Sequence, residues 1–599
     1  MFAQPLLCFA IALGFCFTLA QRVPAQITTL PNSPDSVNPS LVNPSLLPPG
    51  PDSIRGAVLN RVTREPIARA LVFTPDNRYA VLTDDRGHFE FKFPSQDKTP
   101  PPTPSSVEDT ESVRALQLWY ARNTRPDVFL ARKPGFLSDQ NPVRVPAMSG
   151  TQAELVLMLE PEAHIVGHVV LPEADSTNRI QLQLLRQDFN EGHERWTQTE
   201  SFTTWANGEF RFAELPAGIY KLLTLEQMEG DPATFNPGNQ RYGYPPVFFP
   251  NTKEFAGATP IQLGAGATFE ANISVSRREY YPVKIAVSNP PADGFPSVEV
   301  FPQGPPSPGY ALGYDPGEEQ IRGFLPDGAY TLKLSANTGQ GGSSGIMNFN
   351  VRGGPVEGRT ISMFPNLSIL VSVKTEFEPT PSVDIGFAQG GDTGNPPANG
   401  RVSVALTPAE PFGMEAGANS QLVPGGSGDA LVMNNVSPGS YWLHFNTADV
   451  YVASAVWGGT DVLHHPLTVG TAGVSSPIEI TLRNDGAEVS GSVQSLQNTN
   501  SPDPRSRVTA PAIAFVYFLP LRDSEGQFHQ TQVGADGAFT ERQIPPGTYR
   551  ILAFDRMNAQ LGSTIQEARR KYDSNGVVVT LAPNQKEKLP SPVTLVSEP

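Results

Sequence analysis

Cysteine is nearly missing from this sequence. Among 599 residues only Cys8 and Cys16 are cysteines, and both lie in the apolar run 6–20. The small residues before Gln26 fit a signal peptidase site, so residues 1–25 are predicted to be a signal peptide. The alternative is an uncleaved anchor, because no Lys or Arg precedes the run. A mature chain beginning at Gln26 has no thiol, which excludes disulfides and cysteine catalysis.

Charge and long apolar runs are also scarce. Only 17% of the residues are charged, the net charge is −16, and no Lys/Arg cluster occurs, which excludes nucleic-acid binding. After residue 25 no uncharged apolar run reaches the length of about 20 residues that a membrane span needs. The sequence therefore predicts a secreted or extracytoplasmic protein, in the periplasm, at the cell surface or outside the cell, with no transmembrane segment after signal cleavage.

Turn-forming and apolar residues, by contrast, are plentiful. The chain has 61 Pro and 53 Gly, a composition typical of many short strands, and its 39% hydrophobic content is enough to form cores. Because a single core stops growing at roughly 250–300 residues, several domains are expected. Composition thus favours an all-β, multidomain chain.

A turn pattern, P-x-G-x-Y, recurs at intervals of 108 to 111 residues. Pro presets φ, Gly supplies a positive φ, and the following Tyr can bury its ring while its hydroxyl bonds the nearby backbone. This is the chemistry of a tyrosine corner, and the period is the size of one immunoglobulin-like sandwich. We interpret these tyrosines as core residues rather than as a ligand platform. The copies contain Gly218 with Tyr220, Gly328 with Tyr330, Gly439 with Tyr441 (one residue shorter), and Gly547 with Tyr549.

Two further patterns mark strands within the repeats. An I/V-x-G-x-V strand opens a repeat, and a D/N-G-x-F type of hairpin follows it. The opening strands contain Gly56, Gly167 and Gly491, and the hairpins contain Gly87 with Phe89, Gly208 with Phe210, and Gly537 with Phe539.

The spacing of these patterns divides the chain into five predicted Greek-key sandwiches that follow a Pro/Asn/Ser-rich linker. Short helices are predicted at 112–120 and 564–572, and the glycine-rich run 341–345 is predicted to be a flexible turn. The predicted segments are the linker 26–53 and sandwiches 54–161, with an insertion near 95–125, 162–278, 279–365, 366–483 and 484–599.

The stretch 54–91 resembles the carboxypeptidase regulatory-like domain, a transthyretin-like seven-stranded sandwich that is also grouped with carbohydrate-binding-like folds. The hairpin and Tyr turn extend the resemblance to the second and fifth repeats. The third and fourth repeats share mainly the Tyr turn and the spacing. The resemblance implies a secreted bacterial repeat protein and brings little function with it.

Catalytic and metal-binding patterns are not found. None of the eight His has Glu or Asp three residues later, and His193-Glu194 begins an H-E-x-x-H motif that Thr197 breaks. No G-x-S-x-G elbow lies between a strand and a helix. His464-His465 is interpreted as an exposed polar pair. We therefore expect no catalytic residue, no metal and no cofactor.

Aromatic residues are the best candidates for recognition. They stand in a Pro-rich stretch, and sugar-binding sandwiches stack such rings on pyranose faces. The alternative is an edge strand whose rings pack inward. The candidate ligand-binding residues are Tyr242, Tyr244, Phe248 and Phe249.

Three functions remain open at this point. The first is a non-enzymatic spacer or binding protein at the cell envelope, whose partner is a protein or a polysaccharide. The second is a carbohydrate-binding protein that uses the aromatic residues. The third is an unrecognised hydrolase or an accessory subunit of one.

Overall fold

A computed structural model gives the fold. Pro51–Phe93 and Pro126–Pro599 form one compact unit, to which all the strands below belong. The structure describes residues 53–93, 114, 126, 128–137, 143–144, 152–172, 179–190, 193–228, 241–292, 294–303, 309–338, 341–377, 402–409, 420–422, 430–447, 449–470, 476–493, 514–521, 524, 526–533, 537–554 and 572–596.

The chain is all-β and folds as a tandem array of five sandwiches, as the composition and the repeats predicted. Within the described residues, helical structure is restricted to the 3-10 helix Phe255–Gly257 and to Arg114. The rest of the predicted helix 112–120 lies outside the described residues, as does 564–571.

The first two sandwiches contain strands β1 to β17. The strands of the first are β1 Ser53–Asn60, β2 Leu71–Phe73, β3 Ala80–Leu82, β4 His88–Lys92, β5 Val128–Arg132, β6 Val143–Arg144 and β7 Gln152–Leu159. Those of the second are β8 Ala163–Val170, β9 Gln181–Asn190, β10 His193–Thr203, β11 Glu209–Leu215, β12 Gly218–Thr224, β15 Ile261–Leu263, β16 Thr268–Glu270 and β17 Ile273–Ser274. The connecting strands β13 Gln227–Met228 and β14 Arg241–Tyr244 pair with the third sandwich.

The remaining three sandwiches contain strands β18 to β42. The strands of the third are β18 Arg278–Ser288, β19 Ser297–Pro302, β20 Leu312–Asp315, β21 Gln320–Pro326, β22 Gly328–Thr338, β23 Gly341–Val351, β24 Val356–Ser362 and β25 Phe364–Pro365. Those of the fourth are β26 Leu367–Glu376, β27 Val402–Pro408, β28 Ser420–Leu422, β29 Ala430–Val436, β30 Gly439–Thr447, β31 Tyr451–Trp457, β32 Thr460–Asp461, β33 Leu467–Val469 and β34 Ile478–Arg483. Those of the fifth are β35 Ala487–Ser492, β36 Phe515–Pro520, β37 His529–Gln532, β38 Ala538–Ile544, β39 Gly547–Phe554, β40 Val577–Leu581, β41 Lys586–Lys588 and β42 Leu595–Val596.

One pairing scheme recurs in all five sandwiches. The opening strand has an antiparallel neighbour from the hairpin on one side and a parallel late strand on the other. The opening strand, hairpin strand and parallel strand are β1, β4 and β7; β8, β11 and β16; β18, β21 and β24; β26, β29 and β34; and β35, β38 and β41. In the opposite sheet of each sandwich one interior strand pairs on both sides. This strand is β5 in the first sandwich, β12 in the second, β22 in the third, β30 in the fourth and β39 in the fifth.

Period-two alternation in the strands supplies the cores. In β4 the buried residues are Phe89 and Phe91, and in β26 they are Ile369, Val371 and Val373, while their neighbours are more exposed. Each pair of facing sheets encloses one separate cluster of such side chains. Burial of these apolar side chains is the main force that holds each sandwich together.

The glycine-rich run 341–345 forms the start of β23 rather than a turn, so the prediction of a flexible turn was wrong. Small residues are required there by close neighbours. A Cβ at Gly342 would lie 1.9 Å from Asn435 Oδ1, and one at Gly345 would lie 2.6 Å from the Ser362 carbonyl oxygen. The glycines thus allow other segments of the chain to approach this strand.

Candidate functional site

The Tyr of each recurring turn has the same environment. Its ring is at most 2% exposed, and its hydroxyl donates to the carbonyl four residues earlier. The hydroxyl-to-carbonyl pairs are Tyr220 to Pro216 at 2.6 Å, Tyr330 to Pro326 at 2.7 Å, Tyr441 to Ser437 at 2.9 Å and Tyr549 to Pro545 at 2.7 Å. In the fourth sandwich Ser437 accepts the bond and Pro438 follows it, so this turn has the same length as the others.

The opening-strand glycines face the phenylalanines of the hairpins. Gly167 is the register partner of Phe210, and a Cβ at Gly167 would lie 2.7 Å from the ring of Phe210 and 1.8 Å from the Ala271 carbonyl oxygen. Gly56 meets Phe89 and Gly491 meets Phe539 in the same way. The ring therefore occupies the space that any larger residue would need.

The four aromatic candidates do not form one exposed platform. Tyr244 is 1% exposed in the core of the second sandwich, and Phe248 is fully buried in a separate apolar cluster that includes Trp196 and Phe255. Phe249 is half-buried with its edge against Phe269. Tyr242 is half-buried, and the Arg277 guanidinium lies 3.8 Å from the centre of its ring.

The contacts between consecutive sandwiches are the most distinctive feature outside the cores. Between β7 and β8, between β17 and β18, and between β34 and β35 there are only three residues each, 160–162, 275–277 and 484–486. At the first of these links two backbone hydrogen bonds tie the link to the segment after β5. Leu137 N donates to Glu160 O, and Glu162 N donates to Gly135 O. We call these contacts between consecutive sandwiches the joints.

The joint between the second and third sandwiches contains a buried carboxyl group. Glu226 precedes β13, and its Oε2 accepts a 2.8 Å hydrogen bond from the backbone N–H of Ala311 in the third sandwich. Burial raises the pKa of Glu226 to about 7, although the Ala311 amide and the Tyr280 hydroxyl oppose this shift. The carboxyl group also interacts electrostatically with Tyr310 and Tyr330.

The joint between the third and fourth sandwiches is a ladder of side-chain amides. Asn435 donates to Asn337 and accepts from Asn366, each at 2.8 Å, and Ser344 donates to Asn366 at 2.6 Å. Asn435 has a φ of 64°, a conformation that Asn tolerates better than most residues. The joint thus uses neutral polar groups.

The joint between the fourth and fifth sandwiches is formed around Asp485. This carboxylate is 1% exposed and accepts from the Tyr451 hydroxyl at 2.9 Å and from Arg483 at 2.6 Å. Nearby, Gln527 donates its side-chain amide to the Val452 carbonyl at 2.7 Å. The backbone N–H of Gln527 donates to Tyr549, which connects this joint to the tyrosine corner.

A further contact joins sandwiches that are not consecutive. The hairpin of β9 and β10 brings His193 of the second sandwich against Trp442 of the fourth, with ring centres 3.6 Å apart and an angle of 11° between the planes. Glu194, Arg195 and His444 line the same small depression. The second sandwich therefore contacts both the third and the fourth.

Metal-binding chemistry has no support in the described part of the chain. No group of three or more His, Cys, Asp or Glu side chains there is arranged to hold a metal ion. His464 is exposed and its Nδ1 lies 2.7 Å from Asp461 Oδ2. Among the described residues, no helix has the length and apolar character to cross a membrane.

Sheets and joints together define a class, the tandem β-sandwich proteins. No family model matches the chain, and no curated protein matches it. Partial structural matches include the Bacillus anthracis TIE protein (14% identity, 52% of this chain, 50% of that chain, TM-score 0.15), a streptococcal ancillary pilin (12%, 51%, 98%, 0.17) and shaft pilin spaA from Lactobacillus rhamnosus GG (9%, 38%, 98%, 0.16). The matched region thus spans half of the Bacillus anthracis protein.

Proposed function

We propose that this chain is an extracytoplasmic, non-catalytic spacer that holds a binding surface at a fixed distance from its attachment point at the cell envelope. The observation that carries the proposal is the construction of the joints. Three-residue links and polar contacts, which are buried at Glu226 and Asp485, replace the flexible linkers that independent binding domains usually have. A partner that is a protein or an envelope polysaccharide suits a surface with a net charge of −16 and without a basic cluster.

The proposal includes the family resemblance and the predicted boundaries. The Gly–Phe pairs of the first, second and fifth sandwiches support a carboxypeptidase regulatory-like relationship. In each pair the phenylalanine ring of the hairpin motif fills the space beside the glycine of the opening-strand motif, so the two motifs depend on each other. We further propose the signal peptide 1–25 and sandwiches at 54–161, 162–278, 279–365, 366–483 and 484–599. Catalysis is not part of this proposal.

Limited proteolysis of the chain from Gln26 tests whether the joints are closed. We expect the links 160–162, 275–277 and 484–486 to resist a protease of broad specificity while exposed loops are cut, because proteases need an extended and accessible backbone. A matched variant with a Gly-Ser segment inserted after Asp485 should be cut at that position. Early cleavage of the native chain at these links would contradict a fixed spacer.

The class of partner requires a separate experiment. A glycan array and a pull-down with cell-wall polysaccharide, both with the same chain, distinguish a sugar partner from a protein partner. Saturable binding that survives Tyr242→Ala would place the sugar site away from Tyr242, and loss of binding would place it there. A hydrolase screen in which activity survives a chelator and depends on one residue would overturn the non-catalytic proposal.

A further inference from the structure

The joint between the second and third sandwiches differs from the others in the chemistry of its central group. Glu226 Oε2 is bonded to the Ala311 amide across the joint, but its Oε1 is buried without a well-formed hydrogen bond among the described residues. The Tyr280 hydroxyl is likewise buried, and Tyr280 is 2% exposed. The ionised form of the Glu226 carboxyl group would therefore be poorly solvated inside the joint.

Among the described residues, the groups that face this carboxyl group provide no cation to balance a negative charge. β18 contributes Tyr280, the segment before β20 contributes Tyr310, and β22 contributes Tyr330, all of which are neutral hydroxyls with raised pKa values. β14 places Arg241 opposite Tyr280 in register, but its guanidinium lies over the Phe324 ring, 5.4 Å from the centre.

From this arrangement we infer that the joint is a pH-sensitive lock, closed when Glu226 is protonated and weakened when it is ionised. A protonated carboxyl can remain among the tyrosines at little cost, whereas a carboxylate must either stay unbalanced or reach water by opening the joint. The inference concerns the orientation of two sandwiches and does not depend on the identity of the partner.

The direction of the effect follows from linkage. In the closed joint the pKa of Glu226 is about 7, and in an open, hydrated joint it returns to its ordinary value of 4.5. Since the closed form binds the proton more tightly, its extra stability is complete below about pH 4.5 and is lost as the pH rises through about 7. From well below pH 4.5 to well above pH 7, the ratio of open to closed joints can rise by up to about 300-fold.

A distance measurement tests the lock. In the chain from Gln26, which has no cysteine of its own, Ser201→Cys and Asn350→Cys place nitroxide labels on exposed positions of the second and third sandwiches. Double electron–electron resonance should give a narrow distance distribution at pH 5 that broadens by pH 8, with the broadening levelling off above about pH 7. A distribution that stays the same between pH 5 and pH 8 would overturn the inference.

Matched variants assign the effect to this carboxyl group. Glu226→Gln should keep the narrow distribution at both pH values, and Glu254→Gln, an exposed carboxyl of the same sandwich, should behave like the native chain. Tyr280→Phe removes a hydroxyl that lowers the pKa of Glu226, so the pH at which the broadening levels off should move higher, a result that does not depend on the folding of Glu226→Gln. A transition that persists in Glu226→Gln, or an upper end that Tyr280→Phe leaves at the same pH, would exclude Glu226 as the sensor.

Discussion

At the scale of single residues, the sequence patterns located the important positions without showing the partner of each one. Gly167 was recognisable from I-V-G-H-V, but the sequence does not show that Phe210 and the Ala271 carbonyl fill the space beside it. Likewise, Tyr244 and Phe248 share a short aromatic stretch but enter two different apolar clusters. Alternation along one strand cannot reveal which opposite sheet a ring will meet.

Replacement of Gly167 by Ala tests the Gly–Phe pair. The added methyl would lie far inside contact distance of the Ala271 carbonyl, so the backbone must shift, and we expect a loss of about 1–3 kcal/mol in the second sandwich. Hydrogen exchange of peptides from β8 and β11 should accelerate accordingly. Gly264→Ala in the same sandwich is the control, because its nearest neighbour lies 4.0 Å away. Equal effects of the two changes would show that space at Gly167 is not limiting.

Removal of the Tyr549 hydroxyl should cost more than removal of the Tyr220 hydroxyl. Both donate to a carbonyl in their turn, but Tyr549 also accepts a 3.1 Å bond from Gln527 N. Tyr220→Phe should cost about 1 kcal/mol, and Tyr549→Phe about 1–3 kcal/mol, because the change leaves the Gln527 N–H without this acceptor. Hydrogen exchange in β12 and β39 measures both. A larger loss in β12 would refute the role of Gln527.

At the scale of elements, the repeated pairing scheme explains why the fold class could be predicted. Alternation and turns report which segments are strands, and a constant period reports that the same unit is repeated. The strands and sheets of the structure confirm the prediction of an all-β array. The run 341–345 was misinterpreted because its glycines leave room for residues from distant parts of the chain, Asn435 and Ser362. Local composition does not reveal these neighbours.

Gly342→Ala should open the amide ladder between the third and fourth sandwiches. Its Cβ would overlap Asn435 Oδ1 and lie 2.6 Å from Asn366 Nδ2, so the ladder must rearrange, at a cost of about 1–3 kcal/mol. Faster hydrogen exchange at the start of β26 is the expected signal. Gly354→Ala is the matched control, since nothing lies within 4 Å of its added Cβ. If exchange at β26 does not change, the ladder does not hold this joint.

At the scale of the whole molecule, the joints depend on side chains that are far apart in sequence. Asn337, Asn366 and Asn435 carry no motif, and Glu226 looks like any surface glutamate in the sequence. Their roles arise only once two folded sandwiches meet. The sequence therefore predicts the number and type of sandwiches but not the contacts that join them.

The stacking of His193 on Trp442 should restrain the β9–β10 hairpin against the fourth sandwich. Trp442→Ala removes this contact, which is worth about 0.5–1.5 kcal/mol for an aromatic pair, and hydrogen exchange at the hairpin tip should rise by up to about 10-fold. Trp205→Ala is the control, because Trp205 is 51% exposed and belongs to the second sandwich. A hairpin that exchanges equally in both variants would show that the contact adds no restraint.

The parallel pairing of opening and late strands determines how this chain responds to tension. A pull on the two ends of a sandwich draws the opening strand and its parallel neighbour in opposite directions along their length. All the hydrogen bonds between two such strands, for example β1 and β7 with eight residue pairs, are then loaded at once rather than broken one after another. Since each late strand leads within a few residues into the next opening strand, the load passes from one sheared pair to the next. The array has the construction of a tether that resists stretching.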